Sequence, residues 1–78
     1  MNKEQAKQEV QKYKSFLNNR FKNRANGKVY IVEDIEENII TDTDKYQVLI
    51  SFRSEIKEPL NRTLVENVDV FLRIYDRA

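Results

Sequence analysis

The sequence predicts an α+β domain in which a long N-terminal helix packs on a small antiparallel β unit. Three observations carry that expectation: an apolar stripe at helical spacing in the first third of the chain, two-residue alternation after Gly27, and a charge balance that divides at the same place. Seventy-eight residues suffice for one small core and not for two. Residues 1–78 are therefore expected to form a single domain, with a basic amphipathic helix over 2–25 and an acidic β unit over 28–78.

The helix is read from Ala6, Val10, Tyr13, Leu17 and Phe21, which recur along one face of a 3.6-residue period. Phe16 widens that stripe to one side. Asn2 with Gln5 three positions later has the form of a capping box, and Asn26-Gly27 suits an exit. About 22 residues at 1.5 Å each would make a rod of roughly 33 Å. Lys3, Lys7 and Lys14 flank the stripe on one side, Lys12 and Arg20 on the other, while Lys22 sits on the outermost strip with Gln8, Ser15 and Asn19. Long basic side chains beside an apolar stripe lay their stems over the core edge and keep the charge in water. If the Phe16 flank is not covered within one chain, two helices would pair through it and give a homodimer.

After Gly27 the pattern turns to strand. Val29-Tyr30-Ile31-Val32 is a β-branched and aromatic run, and Tyr46, Val48, Ile50 and Phe52 alternate with Gln47, Leu49, Ser51 and Arg53. Glu36-Glu37-Asn38 and Asp42-Thr43-Asp44-Lys45 read as turns, with Ile39-Ile40-Thr41 as a short strand or the rim of a long hairpin. Ser54 to Asn61, with Pro59, reads as a loop, and Arg62 to Glu66 as another short strand. Residues 67–75 fit either a strand or a short helix. Asn67 as cap, Asp69 in the first turn and Arg73 near the end tip the reading to helix.

From Gly27 onward the order of signals resembles short SH3-like barrel proteins of uncharacterised bacterial and phage families. The residues that carry the resemblance are Gly27-Lys28-Val29-Tyr30-Ile31-Val32, Val48-Leu49-Ile50-Ser51-Phe52-Arg53, and Arg62-Thr63-Leu64 followed by Phe71-Leu72. It covers about 50 of the 78 residues and implies a small antiparallel SH3-like β unit. No particular activity comes with it, because that fold hosts many functions.

Composition removes most chemistries. There is no His, Cys or Trp, and one Gly, so the usual general base, the thiolate and the phosphate-cradling loop are all missing. A protein that is not an enzyme and needs no cofactor is expected. Asp42-Thr43-Asp44 opens like a calcium loop, but Gln47 stands at the sixth position and Arg53 at the twelfth, which excludes EF-hand coordination. No apolar run nears the roughly 20 residues of a membrane helix, and Met1-Asn2-Lys3-Glu4-Gln5 lacks a signal-peptide core. A cytoplasmic protein with no membrane partner is the expectation.

Charge then points to partners. Residues 1–28 carry eight bases against Glu4 and Glu9, and residues 29–78 carry six bases against eleven acids. Glu33, Asp34, Glu36, Glu37, Asp42 and Asp44 place six carboxylates within twelve residues. Such a cluster imitates a phosphate backbone and fits a basic groove on a host protein or protein complex. Heavy use of Lys, Asn, Ile and Glu is a bias of AT-rich genomes, and small phage-encoded inhibitors of host defence work stoichiometrically in this way. The alternative is nucleic-acid binding through Lys3, Lys7, Lys12, Lys14, Arg20, Lys22 and Arg24 on the N-terminal helix. Tyr13, Tyr30, Tyr46, Phe52 and Tyr75 could stack on bases, but their apolar alternation is better explained by core packing.

Overall fold

The computed structural model describes residues 1–56 and 62–78. Helix α1 (Lys3–Tyr13) starts at the expected capping box. Asn2 Oδ1 accepts from the Gln5 N–H at 2.8 Å, and Gln5 Oε1 accepts from the Asn2 N–H at 2.9 Å. The helix then stops twelve residues short of the expected end at residue 25. A single 3₁₀ turn (Lys14–Phe16) tightens its last part, Asn18 takes a left-handed conformation (φ 63°), and strand β1 (Arg20–Asn23) follows. Asn is among the residues that enter the left-handed region most readily, and Asn18-Asn19 has weak helix propensity. The 2–25 helix is thus corrected to a helix, a turn and a strand, which puts Arg20 and Lys22 on β1 and Arg24 just beyond it.

Strand β2 (Val29–Ile39) pairs with β3 (Tyr46–Ser54), and β3 with β4 (Leu64–Asn67). Glu36-Glu37-Asn38, expected as a turn, continues β2, opposite Leu49, Val48 and Gln47. The turn falls only after Ile39, at residues 41–44. Ile39 closes β2, so Ile39-Ile40 is the rim of a long hairpin. Glu33 is the extra residue of a β-bulge, since Val32 faces Phe52 while Asp34 faces Ser51. That one-residue insertion lets Val32 and Ile35, three apart, both face the core. Most of the loop expected at Ser54–Asn61, Pro59 included, lies outside the described residues.

The C-terminal segment is helix first and strand second. Helix α2 (Val68–Ile74) is capped by Asn67, whose Oδ1 accepts from the Asp69 N–H at 2.8 Å, and β5 (Tyr75–Arg77) returns beside β1. The resulting order among the described residues is β4-β3-β2-β1-β5, antiparallel throughout.

The core lies between one face of this sheet and the two helices. It holds Ala6, Tyr13, Phe21, Val32, Ile35, Val48, Ile50, Phe52, Val68, Phe71 and Tyr75. Phe21 reaches it from a strand instead of the helix first read from its spacing. Phe16 packs with Tyr13 and Phe21 at ring-centroid distances of 5.2 and 5.0 Å, and the Arg77 guanidinium lies over its ring at 5.3 Å. These contacts leave Phe16 half-buried within one chain.

Candidate partner-binding surface

The six carboxylates singled out from the sequence do not form one cluster. Glu33, at the bulge, pairs with Arg53 (3.3 Å) and accepts from the Thr63 hydroxyl (3.2 Å), while Thr63 Oγ1 accepts from Arg53 Nη2 at 2.9 Å. Those contacts tie β2, β3 and the approach to β4 together across the outer face. Asp34 Oδ1 accepts from the Ile35 N–H at 2.9 Å, which satisfies a backbone donor next to the bulge. Both acids therefore serve the local fold.

The other four lie along one arm of the molecule, with Glu36, Asp42 and Asp44 exposed and Glu37 half-buried. Glu36 and Glu37 lie in the second half of β2. Asp42 and Asp44 lie in the hairpin, with Asp42 at φ 62°. The hairpin is held by the Ile40 N–H donating to the Lys45 carbonyl at 2.9 Å and the Thr43 hydroxyl donating to the Ile40 carbonyl at 2.8 Å. Ile39 and Ile40 are exposed here at 51% and 38%. Met1 is exposed at the same end, held by its carbonyl accepting from the Tyr46 N–H at 2.7 Å. Exposed apolar side chains and carboxylates thus share this end of the molecule.

A groove of about 680 Å³ runs between α1 and the second half of β2, lined by Glu4, Lys7, Gln8, Val10, Gln11, Glu36 and Glu37. Glu37 is half-buried, and its Oε2 is a buried oxygen with no hydrogen-bond partner. Among the described residues no three His, Cys, Asp or Glu side chains converge as metal ligands would.

The bases are divided in the same manner. Lys3, Lys7, Lys12 and Lys14 are exposed on α1 and its 3₁₀ turn, and Lys22 is exposed on β1. Arg20 pairs with Glu55 at 2.8 Å. Arg24 pairs with Asp76 at 2.9 Å and donates to the carbonyls of Arg73 (2.7 Å) and Leu72 (3.0 Å), closing the carbonyl end of α2. The hydrogen bond to Asp76 raises the Arg24 guanidinium pKa further above its ordinary value. Of the aromatics considered as stacking surfaces, Tyr13, Phe52 and Tyr75 are buried and Tyr30 and Tyr46 pack against the core.

No protein-family model, curated protein or solved structure matches this chain. No helix among the described residues is long and apolar enough to cross a membrane. Sequence reasoning named the carboxylates and missed Ile39, Ile40 and Glu4 as their neighbours. The signal for Ile39 was present in the alternation Ile35, Glu37, Ile39, once the bulge at Glu33 is allowed for. Glu4 was readable only as a first-turn acid.

Proposed function

We propose that this chain is a small non-enzymatic binding protein. It would be a phage or mobile-element accessory protein that inhibits or redirects a host nucleic-acid-handling or defence complex by stoichiometric protein binding. The observation that carries the reading is the hairpin arm, where exposed Ile39 and Ile40 stand among Glu36, Glu37, Asp42 and Asp44. Apolar area gives affinity on desolvation, and the carboxylates speed encounter with a basic groove and repel phosphate. The non-enzymatic part rests on a sequence without His, Cys or a phosphate loop. The path from β4 through the Phe71-bearing helix to a last strand beside β1 supports an SH3-like reading of the β unit.

The second reading, nucleic-acid binding, is favoured by the four exposed bases Lys3, Lys7, Lys12 and Lys14. Against it, Arg20 and Arg24 are held in intramolecular pairs. Titration of a short fluorescent duplex with the purified protein separates the two. The protein-binding reading expects weak, salt-quenched association, indifferent to DNA sequence. Tight association that alanines at Lys3, Lys7, Lys12 and Lys14 abolish would make the helix the functional face.

A further inference from the structure

Strand β2 loses a neighbour half-way along its length. β1 pairs only with Val29–Ile31 of β2, and the backbone of Val32 is met by Asn18 and Asn19. Beyond the bulge, β3 lines one side and no strand among the described residues lines the other. The direction of each amide follows from the hairpin. Ile40 and Lys45 stand directly opposite and are hydrogen-bonded, and opposite pairs alternate between bonded and non-bonded. Asn38 and Glu36 therefore turn their backbone groups to β3, while Ile35, Glu37 and Ile39 turn theirs outward. The Ile35 N–H is taken by Asp34. The N–H groups of Glu37 and Ile39 are left open at a two-residue interval, beside the groove.

We propose that this groove binds an extended peptide segment of a partner protein, which adds as a strand to the open edge of β2 and places a Lys or Arg on Glu37. An extended backbone is the ligand whose donors and acceptors repeat at the interval of Glu37 and Ile39. Its charge is set by Glu4, Glu36 and Glu37 against Lys7 alone. Glu37 lines the groove, and among the described residues its Oε2 has no donor, so a small turn of the carboxylate towards a cationic side chain would satisfy it. Val10 offers an apolar wall for the stem of that side chain. The inference rests on the protein-binding reading and names its mode.

The test is amide-resolved NMR titration of the whole chain with a capped peptide of alternating Lys and Val. Two comparison peptides carry Glu for Lys, or N-methyl groups on alternate backbone nitrogens. The expected result is saturable shifts along Glu36–Ile39 and the facing side of α1, slowed exchange of the Glu37 and Ile39 amides, and at least about tenfold weaker binding of both comparison peptides, about 1.4 kcal/mol. Glu37→Gln should weaken the Lys peptide to a similar degree. Ile39→Pro should do the same, and because its N–H points away from β3 the hairpin pairing should survive. No saturable shift at millimolar peptide, equal binding of the N-methylated peptide, or shifts reproduced by lysine amide alone would each overturn the proposal. A host protein captured undiminished by both variants would overturn strand addition and leave the protein-binding reading standing.

Discussion

Phe71 is the side chain on which the most packing converges. It is fully buried, and its ring lies 5.2 Å from Phe21, 5.0 Å from Phe52 and 4.5 Å from Tyr75, centroid to centroid. It therefore joins β1, β3 and the start of β5 from a seven-residue helix. Phe71→Ala removes a ring that its neighbours cannot refill, at a cost of about 3–5 kcal/mol. A domain of this size has little more than that in total. Urea unfolding followed by circular dichroism should show the variant largely unfolded before denaturant is added. Tyr75 gives the molecule a pH dependence on the alkaline side. Burial pushes its hydroxyl above the ordinary tyrosine pKa, partly offset by its hydrogen bond with Asn23 and reinforced by the charges of Tyr30 and Glu66. A raised folded-state value means that the contribution is complete below the unfolded pKa of about 10 and is lost as pH rises through the folded one. Stability should fall above about pH 10, and Tyr75→Phe should fall less steeply over that window. With no histidine in the chain, no imidazole titration should alter stability near neutral pH.

At the level of elements, the junction between α1 and β1 decides the topology. The left-handed Asn18 turns the chain so that Phe21 enters the core from a strand and β1 stands between β2 and β5. Asn18→Gly should be neutral or slightly stabilising, whereas Asn18→Ala should cost about 1 kcal/mol because a Cβ disfavours that φ. Thermal melts of the two variants check the pair, and a stable Asn18→Ala alone would contradict the turn. The same junction shows where the sequence was readable and where it was not. The caps at Asn2 and Asn67 are local, and both were legible from side chains within three residues. The alternation of β3 was legible because one face is buried along its length. The end of α1 was not. Leu17 and Phe21 continue the helical spacing, and only pairing with residues 29–31, eight to ten positions beyond Phe21, pulls Phe21 into a strand. The bulge at Glu33 had the same effect on the candidate site. It shifted the alternation of β2 by one residue, so Glu36-Glu37-Asn38 looked like a turn when it was the continuation of a strand.

For the molecule as a whole, the charge division read from the sequence survives in altered form. The lysines of α1 and the carboxylates of Glu36, Asp42 and Asp44 remain exposed, while Arg20, Arg24 and Glu33 are spent on fastening elements to one another. What is left free for a partner is an acidic arm with exposed isoleucines and a groove beside it. Reversing charge at Glu36, Asp42 and Asp44 should abolish partner binding at unchanged melting temperature, since none of the three makes a side-chain hydrogen bond or ion pair among the described residues, whereas alanines at Lys3, Lys12 and Lys14 should change it little. The central claim is that the partner is a protein, and it is tested most directly by co-purification from a low-GC bacterial lysate with and without nuclease, read by mass spectrometry and by absorbance of nucleic acid. The expected result is a host protein in fixed stoichiometry that survives nuclease and is lost on charge reversal of the arm. Recovery of nucleic acid alone, with no protein left after nuclease, would contradict it.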